Sequence, residues 1–213
     1  MAAGGLCVAV AYLLGGIPVG LLIARSKGVD LFQVGSGNIG ATNVVRALGC
    51  KWGIVTWLGD TVKGLLAVLI AKAAGQPEAV WAACGAAAVT GHCWSPYLRL
   101  RGGRGVATSF GALIAVDWRV GLGAFAVWAI FVALTRIVSL ASLAAAASLI
   151  PWALLWHDTG PMLLLTGYLT CIGFMRHKPN LERLLRGEER PIGQKNRGNG
   201  SEGGQGQTQE QRP

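Results

Sequence analysis

The sequence predicts an all-α integral membrane protein with about seven transmembrane helices, some of them short. Three observations carry that prediction. Of 213 residues, 52% are hydrophobic and only 14% charged, against about a quarter charged in soluble domains. Long apolar runs recur along the chain, and the mean hydropathy is +0.47. The lysines and arginines flank these runs, as expected at an inner membrane face.

The runs fall at 3–24, 52–74, 79–98, 106–116, 120–134, 138–156 and 161–175. A span needs roughly 20 apolar residues, with about 17 as a lower limit. The first, second, third and sixth runs meet that. The fifth and seventh are slightly short and the fourth clearly so. Fusing 106–134 into one span would bury Asp117 and Arg119 in hydrocarbon, which is expensive. A tight turn at the outer face is cheaper.

Charge decides the topology. With seven spans and the N-terminus outside, sixteen of the nineteen lysines and arginines lie inside. Six spans would move Arg136 and the basic C-terminal segment outside. The positive-inside rule therefore predicts seven spans and a cytosolic C-terminus. Arg25 and Lys27 follow the first run and no basic residue precedes it, the pattern of a retained helix and not of a cleaved signal.

Residues 1–186 read as one polytopic domain. Within it, Leu181, Leu184 and Leu185 recur at helical spacing among Arg183 and Arg186, predicting a short basic helix on the inner surface. Residues 187–213 are mostly Gly, Gln, Glu, Asn and Arg and predict a disordered cytosolic tail. The net charge of +9 belongs to the membrane face. Aromatic residues do not interleave with the bases, so nucleic acid is not an expected partner. Cys7, Cys50, Cys84, Cys93 and Cys171 are odd in number and lack a C-x-x-C pair. They read as small apolar residues. The inner loops lack paired carboxylates, so no metal and no cofactor is expected.

Two polar, glycine-rich stretches interrupt the apolar pattern. The first is Gly35-Ser-Gly-Asn-Ile-Gly-Ala-Thr-Asn43, followed by Arg46. It matches a dinucleotide fingerprint as a string, with Asp60 twenty residues beyond Gly40. No βαβ unit surrounds it, and Asp60 lies inside an apolar helix. The glycines Gly35, Gly37 and Gly40 instead let backbone approach a ligand closely. Ser36, Asn38, Thr42 and Asn43 offer hydrogen bonds and Arg46 a charge.

The second stretch is Gly102-Gly-Arg-Gly-Val-Ala-Thr108, after Gly91-His92 and Pro96. Pro96 ends one helix; Gly102, Gly103 and Gly105 form a turn that opens the next. Unpaired N–H groups at a helix start, with Arg104 and Thr108 beside them, suit a phosphate. Ser139 and Ser142 share a helix face at the inner end of the sixth run; Ser139 reads as a packing residue. Arg176-His177 and Asn180 close the last run, where His177 is a candidate base or phosphate ligand. Asp60 and Lys63 predict a buried pair that orients helices. His92 reads as a hydrogen-bonded structural residue. A transporter or flippase for a phosphorylated metabolite or lipid would also use such elements, but the chain has no evident inverted repeat.

These segments, in this order, resemble the bacterial acyl-phosphate:glycerol-3-phosphate acyltransferases, integral membrane enzymes of phospholipid synthesis. The resemblance covers residues 1 to about 187. It rests on residues 35–46, on Gly91-His92 with 102–108, on 138–142, on Arg176-His177 with Asn180, on Gly28-Val-Asp30 and on Asp60-x-x-Lys-Gly64. It implies transfer of a fatty acyl group from acyl phosphate to the sn-1 hydroxyl of glycerol 3-phosphate. The products are lysophosphatidic acid and phosphate. Membrane lipid and other enzymes of phospholipid synthesis are the further partners it implies, with the site facing the cytoplasm of a bacterial inner membrane. Within this frame Ser36, His177 and Asn180 are the expected catalytic residues. Gly37, Asn38, Gly40, Thr42, Asn43, Arg46, Gly102, Gly103, Arg104, Gly105, Thr108 and Ser142 are the expected substrate ligands. The family usually carries lysine where this chain has Arg104. Arginine keeps the charge but binds bidentately and does not deprotonate. No His-x-x-x-x-Asp dyad is present; Glu182 stands at that distance from His177.

Overall fold

The computed structural model describes residues 2–157, 159–189 and 191–192, and among them all regular structure is helical. The order is α1 (Ala2–Gly16), α2 (Val19–Ser26), α3 (Ala41–Leu48), α4 (Cys50–Ala73), α5 (Glu78–Cys93), α6 (Val106–Val116), α7 (Trp118–Thr135), α8 (Val138–Trp156), α9 (Gly160–Arg176) and α10 (Lys178–Leu185). A single 3-10 turn, Pro96–Leu98, lies between α5 and α6.

Four stretches are long and apolar enough to cross a bilayer: Ala2–Ser26, Cys50–Ala73, Trp118–Thr135 and Val138–Trp156. The first is α1 and α2 together. Pro18 breaks it, because proline has no N–H to give and its ring clashes with the preceding turn. Helix α6 has only 11 residues, about 17 Å of rise. It stops at the expected Asp117 turn, where Asp117 caps α7 by accepting from the Arg119 N–H at 2.8 Å. Helices α3 and α10 are additional. Residues 41–48 are helical where the sequence reads as loop, and the expected basic segment forms α10, with Leu185 exposed on it.

The bundle is inside out relative to a soluble protein. Its interior is built from small and medium side chains such as Ala88, Val89, Ala112, Val120 and Ala153. Leu6, Leu58, Ile130, Leu134, Leu155 and Leu164 lie exposed on its outside. An exposed apolar surface of this extent marks a lipid-facing protein. Interior closeness comes from small residues that let helix backbones touch. Helices α4 and α6 meet where Gly64 lies against the Thr108 carbonyl and Gly111 against the Thr61 carbonyl.

Two ends of the bundle carry polar clusters. At one, where α5 and α9 begin and α6 and α8 end, His157 bonds Asp117 at 2.8 Å and Glu78 at 3.0 Å, and Thr159 donates to Glu78 at 2.6 Å. The Arg119 hydrogen bonds hold the Asp117 carboxyl well below the ordinary range. The opposite end gathers both glycine-rich stretches.

Gly111→Val would drive a branched side chain into the Thr61 carbonyl. Overpacking costs about 1–3 kcal/mol or more, so this variant will show a lower melting temperature in detergent than Gly167→Val, whose site is open.

Candidate active site

The first loop is folded by one buried side chain. Asn43, 1% exposed, donates through Nδ2 to the carbonyls of Leu31 (3.2 Å) and Val34 (3.0 Å), and its Oδ1 accepts from the Ser36 N–H (3.0 Å). Gly35 and Gly37 take positive φ to make the turn around it. Asn38 Oδ1 accepts from the Gly40 N–H at 3.1 Å. Leu31, Ile39 and Val44 seat the loop on Leu21 and Ala24 of α2. The Asn43 amide, expected to bind substrate, is engaged in shaping the loop. Asn38 likewise spends its Oδ1 locally. Ser36 and Arg46 remain exposed, and Thr42 is half-buried in the first turn of α3.

The second loop runs from Trp94 to Gly105. Ser95 caps the 3-10 turn and donates from Oγ to the Gly16 carbonyl at 2.7 Å. Gly103 N–H donates to the His92 carbonyl at 3.0 Å. Arg176 donates to the carbonyls of Gly103 (3.0 Å) and Gly102 (2.9 Å) and stacks over Trp94. Gly105, at φ +85°, is the N-cap of α6. The Gly103 amide is thus already paired, which corrects the expectation that all amides of 102–105 face an anion. Among the described residues, the N–H groups of Gly102, Arg104 and Gly105 donate to no protein group, and they adjoin the open first turn of α6. Thr108 is fully buried against α4. Expected as a substrate ligand, it does not line the cavity next to the loop.

That cavity joins a polar mouth to an apolar interior. Arg104, Ser142 and His177 line the mouth; Trp57, Phe110, Leu113, Phe125, Trp128 and Leu149 are among its apolar walls. The rings of Trp57, Phe110 and Phe125 pack as a triangle with centroids 5.1–6.2 Å apart, and Trp128 stacks on Phe125 at 5.8 Å. Ser142 donates to the Val138 carbonyl at 2.8 Å and accepts from Trp128 Nε1 at 3.3 Å. Its proton is directed to its own helix.

His177, 2% exposed, donates from Nδ1 to the Gly173 carbonyl at 2.8 Å. This leaves Nε2 as an acceptor. Burial, then the positive charge of Arg104, push its pKa down to about 4. Burial lowers the Arg104 pKa to about 10, leaving it cationic. Arg46, Arg176 and Arg183 all act on Arg104 at close range, and Glu189 opposes them. The site therefore concentrates four guanidinium groups near one carboxylate. None of Ser36, Asn38 or Thr42 lines the cavity, while Arg46 reaches it through its field.

Glu189 is the functional residue that sequence reading missed. Its carboxylate accepts from Ser139 Oγ (2.7 Å), Asn180 Nδ2 (2.6 Å) and Arg183 Nε (2.7 Å). Burial raises its pKa, but these bonds bring it below the ordinary value. Ile192 N–H donates to the Arg136 carbonyl at 2.8 Å. Of the expected disordered tail 187–213, residues 187–189 and 191–192 fold back on α8 and α10, and 190 and 193–213 lie outside the described residues. The one available signal was an acidic pair, Glu188-Glu189, in a basic segment. Asn180 Oδ1 is buried and unpartnered.

Helices for a bilayer, with cationic loops and open amides at one end beside an apolar cavity, define an integral membrane protein. Comparison with known proteins narrows this. The family model of glycerol-3-phosphate acyltransferase matches residues 5–187. The glycerol-3-phosphate acyltransferase of Desulforudis audaxviator is 47% identical over 186 residues, covering 86% of this chain and 93% of its own. That of Rubrobacter xylanophilus is 44% identical over 92% of this chain and 98% of its own. The crystal structure of PlsY, an integral membrane glycerol 3-phosphate acyltransferase, superposes in its glycerol 3-phosphate form with a TM-score of 0.86 at 39% identity. It covers 90% of this chain and 96% of that one. The lysophosphatidic acid form gives 0.84 at 38% identity. The chain belongs to the glycerol-3-phosphate acyltransferase family.

The His177 environment is directly measurable, since the protein has only three histidines. NMR titration of the substrate-free protein will place the His177 midpoint near 4. Arg104→Met removes a like charge but not the burial, so the midpoint will rise yet stay below 6.5.

Proposed function

We propose that this protein transfers a fatty acyl group from acyl phosphate to the sn-1 hydroxyl of glycerol 3-phosphate. The reaction yields lysophosphatidic acid and phosphate, in the first acylation of phospholipid synthesis. The observation that carries this reading is the continuity of the cavity. A mouth of Arg104 and His177 leads without a break into walls of aliphatic and aromatic carbon. One ligand with a phosphate head and an acyl tail matches both parts.

The chemistry asks little of acid or base catalysis. The glycerol hydroxyl oxygen attacks the acyl carbonyl carbon, the bond from that carbon to the phosphate oxygen breaks, and phosphate leaves as a stable anion. The main demand is to bring two anions together and aim one hydroxyl at one carbonyl, which can lower a barrier by up to about 7–11 kcal/mol. Arg46, Arg104 and the Gly102, Arg104 and Gly105 amides neutralise the two phosphates. Ser36, Thr42 and Asn38 orient the donor. His177 and Asn180 hold glycerol phosphate, each with a free acceptor atom for its hydroxyls.

The proton has two possible acceptors, His177 Nε2 and a substrate phosphate oxygen. A histidine near 4 is a weaker base than a phosphate monoester dianion, whose conjugate acid has a pKa of about 6. The phosphate oxygen is favoured, with His177 orienting the hydroxyl. No step calls on a metal ion.

The same reading extends to topology. Seven spans, the N-terminus outside and the site at the cytoplasmic face of a bacterial inner membrane accord with the positive-inside count. The C-terminal ends of α2, α7 and α9 meet at one rim with the start of α6. Residues 1–186, with Glu189 folded back on them, form the catalytic unit.

Pure protein mixed with palmitoyl phosphate and glycerol 3-phosphate will release phosphate well above the uncatalysed rate; no excess release would overturn the assignment. Arg104→Ala will abolish turnover, and Arg104→Lys will retain most of it because charge matters more there than the planar fork. Full activity in the alanine variant would remove Arg104 from the site.

A further inference from the structure

Beneath the Gly102–Gly105 loop lies a buried charged cluster that the reaction itself does not use. Lys63 Nζ lies 2.8 Å from Asp60 Oδ1, 2.8 Å from His92 Nδ1 and 2.8 Å from the Ile17 carbonyl. Asp60, Lys63 and His92 are 3–5% exposed. An ammonium is donor only, so Lys63 fixes His92 with Nδ1 as acceptor and the proton on Nε2.

His92 then touches the loop twice. Its carbonyl accepts from the Gly103 N–H at 3.0 Å. The Nε2 edge of its ring points at Gly103, so close that a β-carbon there would overlap Nε2. Arg176 holds the carbonyls of Gly102 and Gly103 from the other side. Pinned this way, the loop keeps Gly103 paired while leaving the neighbouring amides open.

We infer that Asp60, Lys63 and His92 are positioning residues that preset the Gly102–Gly105 loop for a substrate phosphate. The cluster is costly to bury, and helix packing alone would not require an imidazole against the loop backbone. Its effect on the site is pre-organisation: without it, the loop must be ordered when the anion binds, and affinity falls by that ordering cost. This inference rests on the phosphate-binding reading of the loop.

His92→Phe keeps an aromatic ring beside Gly103 but cannot accept from Lys63. His92→Asn restores an acceptor near the Nδ1 position. Two readouts separate a positioning role from a merely structural one: the KM of each phosphorylated substrate against kcat, and inhibition by inorganic phosphate. For His92→Phe we expect about a tenfold rise in the KM of at least one substrate and in the phosphate inhibition constant, with kcat nearly kept; tenfold corresponds to about 1.4 kcal/mol of binding. His92→Asn will lie between it and the parent.

Unchanged KM and phosphate inhibition, with only a lower melting temperature or yield, overturns the inference. Should His92→Phe fail to fold, the double variant Asp60→Asn, Lys63→Met removes both buried charges together and is held to the same readouts. If the parent itself shows no turnover, the functional reading fails, and direct phosphate binding by parent and variants still decides the loop inference.

Discussion

Inside a bilayer, every backbone polar group must find its partner within the protein, and the layout of this molecule follows from that constraint. The first membrane segment is broken at Pro18, which frees carbonyls at Gly16 and Ile17. Ser95 Oγ takes the first and Lys63 the second. Lys63 can be buried there because Asp60 and His92 complete its coordination. The polar atoms freed by one helix break thus tie α1, α4, α5 and the second loop to one another. The loop inherits its position from this knot.

Electrostatics adds a second layer. Arg46, Arg104, Arg176 and Arg183 come from α3, the second loop, α9 and α10, and Glu189 is the carboxylate set among them. Their mutual repulsion is a cost to the fold that a bound anion would relieve. His177 is held neutral by its burial and then by the charge of Arg104.

Asn43, Thr108 and Ser142 were all expected to reach the substrate because polar residues at a membrane rim need partners. Each has polar atoms engaged or buried within the protein: Asn43 in turning its loop, Ser142 on the Val138 carbonyl, Thr108 on α6 against α4. A local sequence shows that a polar group must be satisfied but not by whom. Helix α3 was missed for a related reason, since glycine and asparagine mask its eight residues. Glu189 was missed because compositional bias in the tail conceals a single specific contact.

Residue order alone determined the membrane class, the apolar segments, the break at Asp117 and the two glycine-rich loops. These follow from hydropathy, charge and local backbone freedom, all properties of near neighbours along the chain. Only the tertiary structure decided which polar atoms remain open and which are spent. It alone joined Lys63 to His92 and Gly103, and Glu189 to Ser139 and Asn180. Those partners lie nine to fifty residues apart, and hydrogen bonding at such separations depends on how the helices pack.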